Sequence, residues 1–145
     1  MQLREADPMN RTGISALAGL GILLAACAPA TPALGLDGLV EALIASGASV
    51  EIDGEVEQTF FAVPGRILRV DGQDVQVFEY PDSESRQADS DQVGPDGSEI
   101  GTTMVTWIDT PHFWAKDRLI VIWVGQDEST IAALSAVLGE PIAGG

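Results

Sequence analysis

This chain of 145 residues holds one cysteine, one histidine and only seven lysines and arginines. A lone cysteine excludes an internal disulfide, so stability has to come from packing. One histidine cannot supply a structural zinc site, which takes several His or Cys ligands. The shortage of basic residues leaves a formal net charge of −15. Arg4 and Arg11 balance Glu5 and Asp7, so that whole excess lies beyond residue 27. Such a surface repels phosphate backbones and anionic lipid heads, which excludes nucleic acid as a partner. It suits a cationic partner, divalent ions or plain solvation. A phosphate-cradling glycine loop is also missing, since the closely spaced Gly19 and Gly21 sit in an apolar run.

That run, Ile14 to Ala26, follows Arg11 and ends in Leu24-Ala25-Ala26-Cys27. A basic start, a short apolar middle and small residues before a cut are the parts of a secretory signal. The stretch is too short to span a bilayer, which takes about 20 apolar residues. Residues 1–8 carry Glu5 and Asp7, whereas Met9-Asn10-Arg11 opens without an acid, so Met9 is the expected start. Residues 9–27 resemble the signal peptide of the bacterial prolipoprotein family, with Leu24, Ala25 and Ala26 as the lipobox and Cys27 as the residue modified. The resemblance implies acyl chains on Cys27, cleavage before it and attachment to a membrane. Ala28 stands where an aspartate would signal inner-membrane retention, which implies an outer-membrane or cell-surface position.

Three units are expected: a signal helix over 1–27, an Ala/Pro-rich tether over 28–35 and a single α+β domain over 36–145. In the domain, Leu36, Leu39, Val40, Leu43 and Ile44 recur at helical spacing, with Asp37 as the expected cap and Gly47 as the stop. Val50 and Ile52 alternate with acids as a short strand. Asp71-Gly72 joins two β-rich arms, with Leu68, Val70, Val75 and Val77 on one face and Ile67, Phe78 and Tyr80 on the other. Ser83 to Gln92 reads as a weak surface helix anchored by Ala88 and Val93.

Thr102 to Ile108 alternates as a strand that Pro111 breaks. A second hairpin is expected around Lys116-Asp117. Its arm Leu119–Val124 is apolar throughout, the mark of a central strand covered on both faces. Asp127 caps a last helix with Ile131, Leu134, Val137 and Leu138 as its stripe. The sum is a mostly antiparallel sheet of about five to six strands with two or three helices packed on it.

Chemistry is sparse. His112 could join a serine and an acid, but no serine lies in a nucleophile elbow, so no catalytic residue is assigned. Asp89-Ser90-Asp91 opens like a calcium loop and then fails, because Val93 and Ile100 occupy ligand positions; no metal site and no cofactor are assigned. The partner-binding candidates are Trp107, Pro111, His112, Phe113 and Trp114, an aromatic cluster about a proline-broken loop. Phe60–Gly65, Val75–Tyr80 and Pro111–Trp114 resemble small bacterial lipoproteins of uncharacterised function, which implies no activity. The expected role is a lipid-anchored extracytoplasmic lipoprotein with a non-enzymatic interaction domain. A solute- or cation-binding envelope module is the alternative, ahead of an envelope hydrolase.

Overall fold

Leu119–Val124 is the strand around which everything else is laid. Leu119, Ile120, Val121 and Ile122 are fully buried, and Trp123 nearly so. A strand apolar on both faces demands a layer above and a layer below. The computed structural model describes residues 27–145; the expected signal helix and Leu24, Ala25 and Ala26 lie outside them. Thr31–Gly145 forms one unit. In chain order it runs α1 (Leu36–Ala45), β1 (Val50–Val56), β2 (Gly65–Val70), β3 (Gln73–Glu79), α2 (Ser83–Ser90), β4 (Glu99–Ile100), β5 (Thr103–Met104), β6 (Pro111–Lys116), β7 (Leu119–Val124), α3 (Glu128–Leu138) and β8 (Ala143–Gly144).

The main sheet has six strands in the order β1-β2-β3-β7-β6-β8, and every neighbouring pair is antiparallel. The fold is therefore α+β. Register follows from the turns. Val70 pairs with Gln73 across Asp71-Gly72, whose φ angles of +50° and +84° are those a two-residue hairpin needs. One face carries Leu68, Val70, Val75, Val77, Trp114, Leu119, Val121 and Trp123, covered by Leu39 and Leu43 of α1 and Leu134 and Leu138 of α3. The other carries Phe78, Tyr80, Phe113, Ile120, Ile122 and Ala143, covered by Phe61 and Ile100 with Phe60, Val93 and Trp107 half-buried. Helices α1 and α3 thus serve one face, while mostly irregular chain serves the second.

Several local expectations are corrected. Asp37 does not cap α1. Gly35 occupies the cap without a side-chain bond, and the Leu36 N–H donates instead to the Glu79 carboxylate, distant in sequence. The strand begun by Val50 extends to Val56, with a register shift between Ile52 and Gly54. Thr102–Ile108 pairs only at Thr103–Met104, because the strand opposite, Glu99–Ile100, is two residues long, and the chain bends at Ile108 and Asp109. Pro111 starts β6 instead of ending a strand. The expected anchor Ala88 is exposed; Asp89 and Ser90 are the buried residues of α2. Part of the expected tether belongs to the folded unit: the Leu34 N–H donates to Asp117 Oδ2 at 2.8 Å.

Asp127 does cap α3, accepting from the Thr130 N–H at 2.9 Å and the Thr130 hydroxyl at 2.7 Å. Bonds from Ser129 and Thr130 hold its carboxyl below the ordinary aspartate range. A lowered folded-state pKa means that the stabilisation exists above the unfolded value of about 3.9 and fades as pH falls through the folded one. Asp127→Ala is expected to melt below the parent at neutral pH, with the gap closing in acid; thermal unfolding against pH reads both. Leu134→Ala is expected to cost about 2–5 kcal/mol by denaturant unfolding at any pH, since it leaves a cavity under α3.

Candidate functional site

The aromatic cluster singled out in the sequence is mostly core. Phe113 and Trp114 are fully buried and His112 is 7% exposed. Pro111 is buried and Trp107 half-buried. Strand alternation explains this: His112 and Trp114 point to the helical face, Pro111 and Phe113 to the other. The His112 ring stacks on Trp123 at 5.6 Å, and its Nε2 lies 3.0 Å from the Gly125 carbonyl oxygen. Trp114 donates its indole N–H to Ser135 Oγ at 3.1 Å. These groups are occupied in packing and are corrected from surface contacts to core. Trp107 alone reaches a surface feature, its indole N–H held by the Gly97 carbonyl at 2.8 Å and its ring edge-on to Phe113.

The acids of the segment that opens like a calcium loop do not converge. Asp89 turns inward, Asp91 accepts from Gln87, and Asp96 is held by Ser98 through its N–H and hydroxyl. Among the described residues no group of three or more His, Cys, Asp or Glu side chains could hold a metal ion.

Two features were missed in the sequence. The first is a buried polar tie. Asp89 is only 9% exposed. One of its carboxylate oxygens accepts from the Tyr80 hydroxyl at 2.7 Å and from the Ala62 N–H at 2.8 Å. It thereby joins α2, the end of β3 and the loop between β1 and β2. Burial, reinforced by the bond to Asp89, pushes the Tyr80 phenol far above its ordinary range. The sequence signal was slight: an acid in an acidic segment looks solvated until the fold turns it inward.

The second is a groove of about 580 Å³ on the loop-covered face, within the size range of small-ligand pockets. Gln76, Ile122 and Val124 line it from the sheet, and Thr106, Trp107 and Ile108 from the segment after β5. Gly72, Gln73 and Asp74 close it at the β2–β3 turn. Gln58 reaches over and donates to Gln76 Oε1 at 2.9 Å. Ile108 is 99% exposed and Met104 71%. The alternation that suggested a strand through Ile108 is kept in the burial of residues 103–108, with the even-numbered side chains facing solvent, but the chain bends at Ile108 and Asp109.

The groove and the incoming chain occupy opposite ends of the sheet. Leu34 docks at the β6–β7 turn, where Arg118 N–H also meets its carbonyl at 3.4 Å. Strand β7 leads from that turn to the groove, a span of about 20 Å at the usual strand rise. No family model matches this chain, and comparison with curated proteins and with solved structures finds no match for it.

Tyr80 is the only tyrosine. Near-ultraviolet absorbance is expected to show no phenolate up to well above pH 10, the ordinary phenol value. The raised folded-state pKa makes stability full below about pH 10 and lost progressively above it. Asp89→Ala strands the Tyr80 hydroxyl and the Ala62 N–H, at about 1–3 kcal/mol for each donor left unpaired, measurable by denaturant unfolding.

Proposed function

We propose that this protein is a lipid-anchored extracytoplasmic lipoprotein whose α+β domain serves as a non-enzymatic interaction module for another component of the cell envelope. The observation that carries the anchoring half is Cys27, the single cysteine, which is exposed and follows Leu24-Ala25-Ala26. Acyl chains on that sulfur and on the amine freed by cleavage would hold the chain stably where one chain would not. The opposed ends support the interaction half. Between Cys27 and Leu34 the chain reaches at most about 25 Å. The lead from Cys27 enters the domain at Leu34, at the β6–β7 end, and the groove lies at the other end of the sheet.

Metabolic labelling with a radioactive or clickable palmitate, followed by separation of membrane and soluble fractions, tests the anchor. The expected result is label on the protein and membrane recovery, with both lost in Cys27→Ala. Label retained in Cys27→Ala, or an unlabelled protein that still sediments with membranes, contradicts the reading.

A further inference from the structure

We infer that the outer edge of β1 is a docking site for an extended, basic segment of a partner protein, which joins the main sheet as a further strand. This names the partner class for the interaction module proposed above and rests on that reading.

Three observations carry it. The first is the edge itself. β1 ends the strand order and has β2 as its single neighbour. The Asp71 N–H donates to the Ser49 carbonyl at 2.9 Å, so antiparallel alternation turns the N–H and C=O groups of Val50 and Ile52 away from β2. Among the described residues, no hydrogen bond outside the β1–β2 ladder reaches the backbone of Val50–Val56. The opposite edge of the sheet is covered. There β8 pairs with His112 and Phe113, and the flanking Ile142 and Gly145 N–H groups donate to the Phe113 and Pro111 carbonyls. Outward main-chain groups on an uncovered edge are what an added strand bonds to.

The second is a row of side chains that runs out at this edge. His112, Trp123, Val75, Leu68 and Ile52 stand opposite one another from β6 to β1. The first four are buried, whereas Ile52 is 50% exposed. An edge protected by charge alone would end the row in a charged residue. Here it ends in an uncovered apolar one, and an apolar side chain opposite Ile52 on an added strand would continue it.

The third is charge. Glu51, Asp53, Glu55 and the following Glu57 are acidic, and β1 holds no base. Arg69 is shared between Asp53 at 2.7 Å and Asp74 at 3.2 Å, and Arg66 comes only within 3.8 Å of Glu55. Glu51 and Glu57 have no ion-pair partner among the described residues. A second copy of β1 would set acid against acid in either direction, which disfavours pairing of this chain with itself. Lysine or arginine on either side of an apolar residue would instead meet Glu51 and Glu55 about Ile52.

The test pans a phage-displayed library of random dodecapeptides against the full chain in detergent. Selected peptides are then synthesised and titrated by fluorescence anisotropy. The expected winners combine Lys or Arg with alternating apolar residues, lack proline, and weaken at least about tenfold from low to high salt. Amide hydrogen exchange of the complex is expected to show new protection at Val50 and Ile52. Glu51→Gln combined with Glu55→Gln is expected to weaken binding about tenfold at an unchanged melting temperature. Ile52→Pro, which removes an outward N–H but no bond to β2, is expected to abolish binding. If that proline lowers the melting temperature, the glutamine pair and the exchange pattern decide. Ile142→Ser, an exposed apolar position beside the covered edge, is expected to leave binding unchanged. Absence of enrichment overturns the inference. So do acidic winners, winners that protect no amide of β1, or winners that bind the glutamine pair as well as the parent. Because purified chain is used, the result is independent of whether Cys27 carries lipid, so failure here and failure of the anchor can be told apart.

Discussion

The covering of the second sheet face hangs on one buried carboxylate. Helices α1 and α3 close the first face by apolar stripes, which need no polar help. The second face is closed by the β1–β2 loop, α2 and the stretch after it, and such segments carry backbone groups that must be satisfied once buried. Asp89 meets this need by accepting from Ala62 and Tyr80 together. Around that tie the aromatic layer settles: Phe61 packs edge-on to Phe78 at 4.8 Å and to Phe60 at 4.9 Å. Gly97, at φ +72° and with a would-be Cβ only 2.5 Å from the Phe113 ring, lets the following loop lie close over β6. The polar tie thus substitutes for the apolar helix that the second face lacks.

A layer of loops need not reach both ends of the sheet, and this one stops short near the β2–β3 turn. The groove is the consequence. It lies where covering chain gives way to sheet, with Ile108 and Trp107 at the boundary. The incoming chain is fixed at the other end by Asp117 and Arg118, which bond Leu34, and by Glu79, whose carboxylate accepts from the Leu36 N–H in place of the missing cap of α1. The chain therefore enters at one end of the sheet and the groove lies at the other.

Periodic features of the sequence translated directly into structure. The Asp71-Gly72 hairpin, the two faces of β2 and β3, the doubly buried β7 and the Asp127 cap all depend on neighbours in sequence, where pattern is informative. What was illegible depends on distant partners. Whether Thr102–Ile108 forms a ladder is decided by the strand opposite it, and only two residues of β4 are there. Whether Asp89 is solvated is decided by Tyr80 and Ala62. The short β8 pairs His112 with Gly144 and Phe113 with Ala143, and nothing in Ala143-Gly144-Gly145 announces a strand. The aromatic cluster misled for a similar reason. A proline followed by aromatics suits an exposed loop and a strand entering the core equally well, and burial is settled only by the sheet that receives it. The groove had no signature because its residues come from four separate stretches of chain.

Native-state amide hydrogen exchange on the full chain tests this account most directly, since it reads the second face residue by residue. Slow exchange is predicted for β7 and also for the Ala62 amide, which lies in a loop but is held by Asp89. Fast exchange is predicted for Thr106 to Asp109, whose backbone groups have no partner among the described residues. An Ala62 amide exchanging as freely as those of residues 106–109 would contradict the polar tie, and protection across 106–109 would contradict the unpaired backbone described for that segment.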